Sequence, residues 1–204
     1  AQVPFIILGG GSNVLVSDVG VQDVVLLNRA REIRFVGNQA QPAVWAGSGA
    51  NFGSLARRAA AQGLSGLEWA AGIPGTVGGA VFGNAGAHGN DVAGCLLMAE
   101  ILHQNGRREE LAAAELKFTY RSSSLKAEKL DAIVLAAQFK LMASKPEIVQ
   151  QTMDEFTVFR RRTQPPGASM GSMFKNPPGD FSGRLIEQAG LKGTQVGDAE
   201  ISDL

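Results

Sequence analysis

The chain has 204 residues, 45% of them hydrophobic, and its 19 basic and 19 acidic side chains cancel to a formal charge of zero. That length allows one large or two small domains, and the balanced charge gives no electrostatic reason to expect nucleic acid or an anionic membrane surface. No apolar stretch reaches membrane-span length, nothing marks an obligate protein partner, and the single cysteine, Cys95, excludes an intramolecular disulfide framework and fits a reducing, cytoplasmic compartment.

Phe5 to Leu8 reads as a short buried strand feeding a glycine loop, Gly9, Gly10, Gly11, Ser12 and Asn13. Val14 to Val16, Val24 to Leu27 and Ile33 to Val36 are further strand candidates. Asn51 to Ala61 reads as a helix with Leu55, Ala56, Ala59 and Ala60 on one small face and Gly63 as its stop. Residues 72 to 80 then read GIPGTVGGA, with four glycines and no charge. A packed core gains nothing from such a run, because glycine adds no side chain and costs backbone entropy. Bare backbone suits a large ligand whose anionic part, most often a phosphate, is met by amide N–H groups. Either loop alone is best read as a tight turn. Two of them point to a diphosphate with a long body, such as a dinucleotide. Neither is a standard nucleotide fingerprint: Gly9 and Gly11 open a GxGxxG, but Val14 takes the third glycine position, and there is no GxxxxGK[ST].

Further on, Leu96 to Gln104 and Arg108 to Leu111 flank Asn105-Gly106, a strong hairpin signal. Asp131 to Leu141 is another strand. The texture changes near Ala143. Ser144-Lys145-Pro146-Glu147 is a capping box with proline near the first helical position. It opens a helix to about Arg162, with Val149, Met153 and Phe156 sharing a face and Ile148 and Phe159 flanking it. Gln164 to Asp180 carries Pro165, Pro166, Pro177 and Pro178 and reads as loop with room for one strand. Ser182 is expected to cap a last short helix, with Leu185, Ile186 and Ala189 inward and Gly190 at its end. Strands come in runs rather than alternating with helices, so the fold class is α+β.

Other features have plain structural readings. His88 and His103 show no metal-ligand spacing with Cys95, so no metal site is expected. Cys95 reads as buried packing, His103 as a strand-surface residue, and Trp45 and Trp69 as core. Arg160, Arg161 and Arg162 suit a helix C-terminus.

The segments LGGGSNVLVSD (Leu8 to Asp18) and GIPGTVGGAVFGNAGAHG (Gly72 to Gly89) are similar to the two FAD-binding segments of the UDP-N-acetylenolpyruvoylglucosamine reductase family, also called UDP-N-acetylmuramate dehydrogenase. FTYRSSSLK (Phe118 to Lys126), GSMFKNP (Gly171 to Pro177) and GRLIEQAGLKG (Gly183 to Gly193) agree in order, and the likeness covers essentially the whole chain. It implies a PCMH/vanillyl-alcohol-oxidase type FAD-binding domain over residues 1–143. The start of a smaller α+β substrate-binding domain follows over 144–204, and both ends are expected to be truncated. The implied cofactors are FAD and, as reductant, NADPH. The implied substrate is UDP-N-acetylglucosamine enolpyruvate, an enolpyruvyl ether reduced to a lactyl ether in peptidoglycan precursor synthesis.

The resemblance also assigns residues. Gly9, Gly10, Gly11, Ser12, Asn13, Gly72, Ile73, Pro74, Gly75, Thr76 and Gly79 fall in the FAD segments. Ser172 matches the proton donor, and Arg121 the arginine that holds the enolpyruvyl carboxylate, for which a guanidinium fork is well shaped. Tyr120 would line the same pocket. Lys175 and Asn176 match UDP-sugar contacts, with Lys175 near the diphosphate. His88 lies in the second FAD segment, where a contact to flavin or substrate is the less favoured reading. The family's catalytic glutamate is expected beyond Leu204, and neither Glu187 nor Glu200 lies in the matching segment. From the residues alone, Ser172 is a turn serine, Arg121 a surface salt-bridge former, Tyr120 core packing, and Lys175 and Asn176 a solvated loop. Two alternatives stay open: another FAD oxidoreductase of this fold acting on a sugar or hydroxy acid, and a non-catalytic flavin-binding remnant.

Overall fold

Alternating apolar residues build one antiparallel sheet, and helices that grow out of glycine-rich segments cover it. The computed structural model describes residues 3–165 and 169–203, so the expected loop prolines include one, Pro166, that lies outside the described residues, as does Leu204. In chain order the first strands are β1 (Phe5–Leu8), β2 (Val24–Leu27), β3 (Ile33–Gly37), β4 (Pro42–Gly47) and the two-residue β5 (Leu64–Ser65), β6 (Gly86–Ala87) and β7 (Asn90–Asp91). Then come β8 (Leu96–His103), β9 (Arg108–Ala112), β10 (Ala132–Lys140) and the two-residue β11 (Met142–Ala143), β12 (Gln195–Val196) and β13 (Ala199–Glu200). The α-helices are α1 (Phe52–Ala60), α2 (Val77–Phe82), α3 (Val92–Cys95), α4 (Ser124–Ala127), α5 (Pro146–Thr163) and α6 (Ser182–Gln188). The chain divides into two units, Ala1–Thr157 and Val158–Leu204, with the division inside α5.

In the first unit the main sheet runs β3-β4-β10-β8-β9, antiparallel at every step. Phe139 of β10 faces Val44 of β4 on one side and Leu96 of β8 on the other. Phe52 and Leu55 of α1 and Val77 and Val81 of α2 share one buried cluster with Val44, Ala99, Ile101 and Phe139. Each such large side chain contributes about 1.5–3 kcal/mol by leaving water. Register shifts break β10 against β8 between Val134 and Ala136 and between Gln138 and Phe139. The extra residue, Leu97, reverses the strand's parity, so Leu96 and Ala99 both point inward while Leu97 is exposed.

α1 begins and ends as its sequence indicates. Asn51 caps it by accepting from the Ser54 amide at 2.8 Å, and Gly63 follows at φ +67°. Trp69 lies in the core, edge-on to Phe52 at 5.6 Å between ring centroids. Cys95 is buried, and that burial, with Asp91 nearby, pushes its thiol up to about 12.

Several expectations are corrected. Phe5 to Leu8 form a strand, but an exposed one: among the described residues, β1 pairs in parallel with β2 alone, and no further strand joins that sheet. Val14 to Val16 are not a strand and are exposed. β4, whose Ala43, Val44 and Ala46 are buried, was not among the expected strands. Trp45 is only half-buried: its Nε1 donates to Glu100 at 2.7 Å, and the Arg34 guanidinium lies 4.0 Å from its ring centroid. Ser144 does not cap α5. The helix starts at Pro146, the amides of Ile148 and Val149 turn back to Lys145, and the Ser144 amide donates to Gly63. Of the expected inner face of α5, Val149 and Met153 are buried with Ala60, and Phe156 packs against the main core.

The second unit contains α6 and the β12–β13 hairpin. Phe181, not Ser182, occupies the N-cap of α6, and Leu185 and Ala189 are exposed rather than inward. Asp180 holds Arg184 one turn on through two hydrogen bonds. That pair, with the Phe181 amide, holds the Asp180 carboxyl down at about 2. No strand forms in the described residues of 164–180.

Candidate FAD cradle and substrate site

The two glycine loops lie against each other, with bare backbone on one loop facing backbone or a side-chain hydroxyl on the other. A Cβ on Gly9 would stand 2.5 Å from Thr76 Oγ1, one on Gly10 would stand 3.4 Å from Gly75 Cα, and one on Gly75 would stand 2.8 Å from Ser12 Oγ. Gly75 also sits at φ +112°, a conformation that suits glycine. Gly9 and Gly75 are therefore used for proximity, whereas Gly11, at φ +70° with open space beyond it, is used for its turn. Among the described residues, the amides of Gly9 to Asn13, Gly75 and Thr76 have no backbone acceptor. Donors without partners on two apposed loops are what an anionic diphosphate needs, so the residues present fit FAD.

The second loop is stitched to the end of β4. Phe52 N donates to Gly75 O, Val77 N to Ala50 O and Gly78 N to Ser48 O, at 3.1, 2.9 and 2.8 Å. Asn28, just after β2, reaches the same corner, with its Nδ2 donating to Ser48 Oγ at 2.8 Å. Gly49 permits this approach, since its Cβ would stand 2.7–2.8 Å from Asn28 Oδ1, Asn28 O and the Ala30 amide. Sequence reasoning missed Asn28 and Ser48. The Gly-Ser-Gly at 47–49 was the available signal. Gly72, Pro74 and Gly79 are exposed, and Ile73 is partly buried against the core.

Tyr120 and Arg121 form the tip of a two-residue turn. Thr119 and Ser122 exchange backbone hydrogen bonds at 3.0 and 3.1 Å, and Arg121 takes φ +57°. Tyr120 is 54% exposed, so it is not core packing. The Arg121 guanidinium lies 5.6 Å from the tyrosine ring, and Lys126 Nζ donates to the Arg121 carbonyl at 3.2 Å. His88 stacks on Phe156 of α5 at 4.2 Å and 13°. His103 is half-buried and pairs with Glu109 at 2.7 Å on the β8–β9 hairpin.

Ser172, Lys175 and Asn176 belong to the second unit. Ser172 Oγ donates to Phe174 O at 2.9 Å. Asn176 Oδ1 accepts from both the amide and the hydroxyl of Ser182, each at 3.0 Å, and so fastens the segment to the first turn of α6. Lys175 is exposed. Among the described residues, no group of three or more His, Cys, Asp or Glu is placed to hold a metal ion, and no helix is long and apolar enough to cross a membrane.

This arrangement, a bare-backbone cradle at the end of β4, suits the dinucleotide of an FAD-binding oxidoreductase, the class to which the chain's relatives assign it. Residues 1–112 match the FAD binding domain family model, and residues 163–204 match the C-terminal domain of UDP-N-acetylenolpyruvoylglucosamine reductase. The chain is similar at TM-score 0.84 and 39% identity to the crystal structure of the reductase from Thermus caldophilus, covering 99% of this chain and 72% of that one. It is 43% identical to the UDP-N-acetylenolpyruvoylglucosamine reductase of Chloroflexus aggregans over all of this chain and 69% of that protein. A solvent-stable cholesterol oxidase, at TM-score 0.52 and 16% identity over 69% of this chain, shares the fold alone. The chain belongs to the UDP-N-acetylenolpyruvoylglucosamine reductase family.

Proposed function

We propose that this chain carries the FAD-binding domain (residues 1–143) and the start of the substrate-binding domain (144–204) of a cytoplasmic flavoenzyme. Its reaction is the NADPH-dependent reduction of UDP-N-acetylglucosamine enolpyruvate to UDP-N-acetylmuramate. The observation that carries this reading is the apposition of the two glycine loops, in a chain whose whole length matches one reductase family. When bound, FAD supplies a reversible two-electron hydride carrier.

The chain's own residues supply the rest. Gly9 to Asn13 and Gly72 to Thr76, with Gly79, hold the dinucleotide through backbone N–H groups and close approach. Reduction of the vinyl group develops negative charge beside the substrate carboxylate, where fixed positive charge stabilises it most. Arg121 takes that carboxylate in its fork, and Tyr120 lines the same pocket. Ser172 donates the proton to carbon. Its hydroxyl must first leave the Phe174 carbonyl that it now bonds. Lys175 meets the diphosphate of the UDP-sugar, and the Asn176 amide nitrogen meets the sugar while its oxygen stays on Ser182.

Anaerobic stopped-flow absorbance on the full-length protein tests this reading. NADPH is expected to bleach the flavin band, and the UDP-enolpyruvyl sugar to restore it rapidly. Bleaching without recolouring would move the substrate elsewhere. No flavin band after added FAD would overturn the cradle.

A further inference from the structure

The turn that presents Arg121 is flanked by Phe118, packed against the main core, and by the buried Leu125, while Tyr120 at its tip is exposed. Two buried polar side chains fasten the turn itself. Asn84, 4% exposed, follows α2 at φ +44°. Its Nδ2 donates to the Thr119 carbonyl at 3.0 Å and to Asp91 Oδ2 at 3.1 Å, and its Oδ1 accepts from the Ala93 amide at 3.0 Å. Two acceptors on one side and a donor on the other fix the orientation of the amide. The other oxygen of Asp91 accepts from Gly94 N at 3.0 Å and caps α3. On the far side of the turn Ser123, 1% exposed, donates from Oγ to the Phe82 carbonyl at 2.7 Å.

Both fastenings end on one short element. Phe82 is the last residue of α2, and Asn84 lies two residues beyond it. The other end of α2 follows Thr76, the residue against which Gly9 packs. Six helical residues span about 9 Å, so α2 is a short strut from the dinucleotide cradle to the Tyr120–Arg121 turn. A guanidinium fork is sensitive to such a strut, because misplacing a binding group by about 1 Å costs up to about a hundredfold in rate.

We propose that Asn84 and Ser123 are positioning residues that set the distance between the FAD cradle and Arg121. The proposal rests on the carboxylate-binding role given to Arg121 above. Neither side chain need touch cofactor or substrate. Loss of either fastening frees the turn while leaving Gly9 to Asn13 and Gly72 to Thr76 in place.

The test uses full-length, FAD-loaded protein carrying Ser123→Ala or Asn84→Asp. The second change sets a carboxylate against Asp91 and the Thr119 carbonyl. Tryptic cleavage after Arg121 is expected to speed up about tenfold in both variants, reporting local release of the turn. Flavin reoxidation by the enolpyruvyl UDP-sugar should slow about tenfold, with a raised half-saturating concentration, while flavin content and reduction by NADPH stay within about twofold of the parent. Ser123→Thr keeps the hydroxyl and should restore all readouts. In an Arg121→Ala background, adding Ser123→Ala should change reoxidation by less than about twofold, because the side chain being positioned is gone. A full additional loss there, or unchanged cleavage and reoxidation in the Ser123→Ala protein, would overturn the positioning role alone. Parental reoxidation in Arg121→Ala itself would overturn the role of Arg121 and this proposal together. If Asn84→Asp does not fold, Ser123→Ala, which removes one hydroxyl, decides the matter.

Discussion

Gly9→Ala isolates the contact between the two glycine loops. Gly9 is not in the left-handed region, so alanine brings no backbone strain. The whole effect comes from a Cβ placed 2.5 Å from Thr76 Oγ1, whereas ordinary contact begins near 3.4 Å. The loops must part by about 0.9 Å, the difference of those two distances, or Thr76 must rotate. Overpacking of this kind costs about 1–3 kcal/mol, which at about 1.4 kcal/mol per tenfold weakens FAD binding about 5- to 150-fold, with the low end set by rotation of Thr76. The assay is a titration of deflavinated full-length protein with FAD, followed by quenching of flavin fluorescence. Thr76→Ala supplies the control. Without Oγ1 and Cγ2, the nearest remaining atom to the new Cβ is the Cβ of residue 76 at 3.5 Å, an ordinary contact. Gly9→Ala should therefore cost little in the Thr76→Ala background. Equal losses in both backgrounds would refute the reasoning, because the glycine would then be required by the ligand and not by the opposite loop.

Ser172→Ala is expected to leave flavin reduction by NADPH near parental and to slow reoxidation by the enolpyruvyl sugar by about 10²–10⁴-fold, the usual worth of a positioned proton donor. Equal damage to both half-reactions in stopped flow would remove the proton-donor role. Cys95, buried and raised to about 12, should give no reaction with a thiol reagent in the native protein at pH 8 and one equivalent after unfolding. Rapid native labelling would contradict the packing around α3. The Asp180 carboxyl is held at about 2 in the fold against an ordinary 3.8, first by the Arg184 hydrogen bonds and then by the Phe181 amide. A depressed acid stabilises the fold above its unfolded value and loses that contribution as pH falls from about 3.8 towards 2. Carbon-detected NMR titration of the carboxyl should place its midpoint at about 2. Arg184→Gln should return the midpoint towards 3.8, and an unmoved midpoint would contradict the pair.

What was legible in the sequence follows from how local each cause is. The ends of α1 are written in Asn51 and Gly63, one a side-chain cap and the other a left-handed stop, and both act within a turn of the helix. The β8–β9 hairpin is written in Asn105-Gly106 for the same reason. The burial of β1 was misjudged because apolar content sets a preference for strand, while burial needs a covering layer from elsewhere in the chain. β4 escaped notice because Pro42, Gly47 and Gly49 look like loop punctuation. The first stands at the head of the strand, and the others let the Ala30 and Asn28 backbone pass close. Alternation also failed at Leu97, where a bulge inserts one residue and reverses parity. At the site, the glycine loops announced themselves by composition. Tyr120 and Arg121 stood out only through family resemblance, since one tyrosine and one arginine have bland alternatives. Asn84 was invisible because its three partners, Asp91, Ala93 and Thr119, lie 7, 9 and 35 positions away in sequence.

The stitching of the second glycine loop has a consequence for how the cradle comes into being. Its amides at Val77 and Gly78 donate to the carbonyls of Ala50 and Ser48 just after β4, and its Gly75 carbonyl accepts from the Phe52 amide at the start of α1. That wall therefore exists as soon as the sheet and α1 have folded, with or without a ligand. The opposite wall, Gly9 to Asn13, is held mainly by contact across the gap. In hydrogen–deuterium exchange the first set of amides should behave as part of the core. The second set should acquire protection only when a dinucleotide fills the space, so that occupancy of the site can be read from five consecutive amides without any optical signal from the flavin.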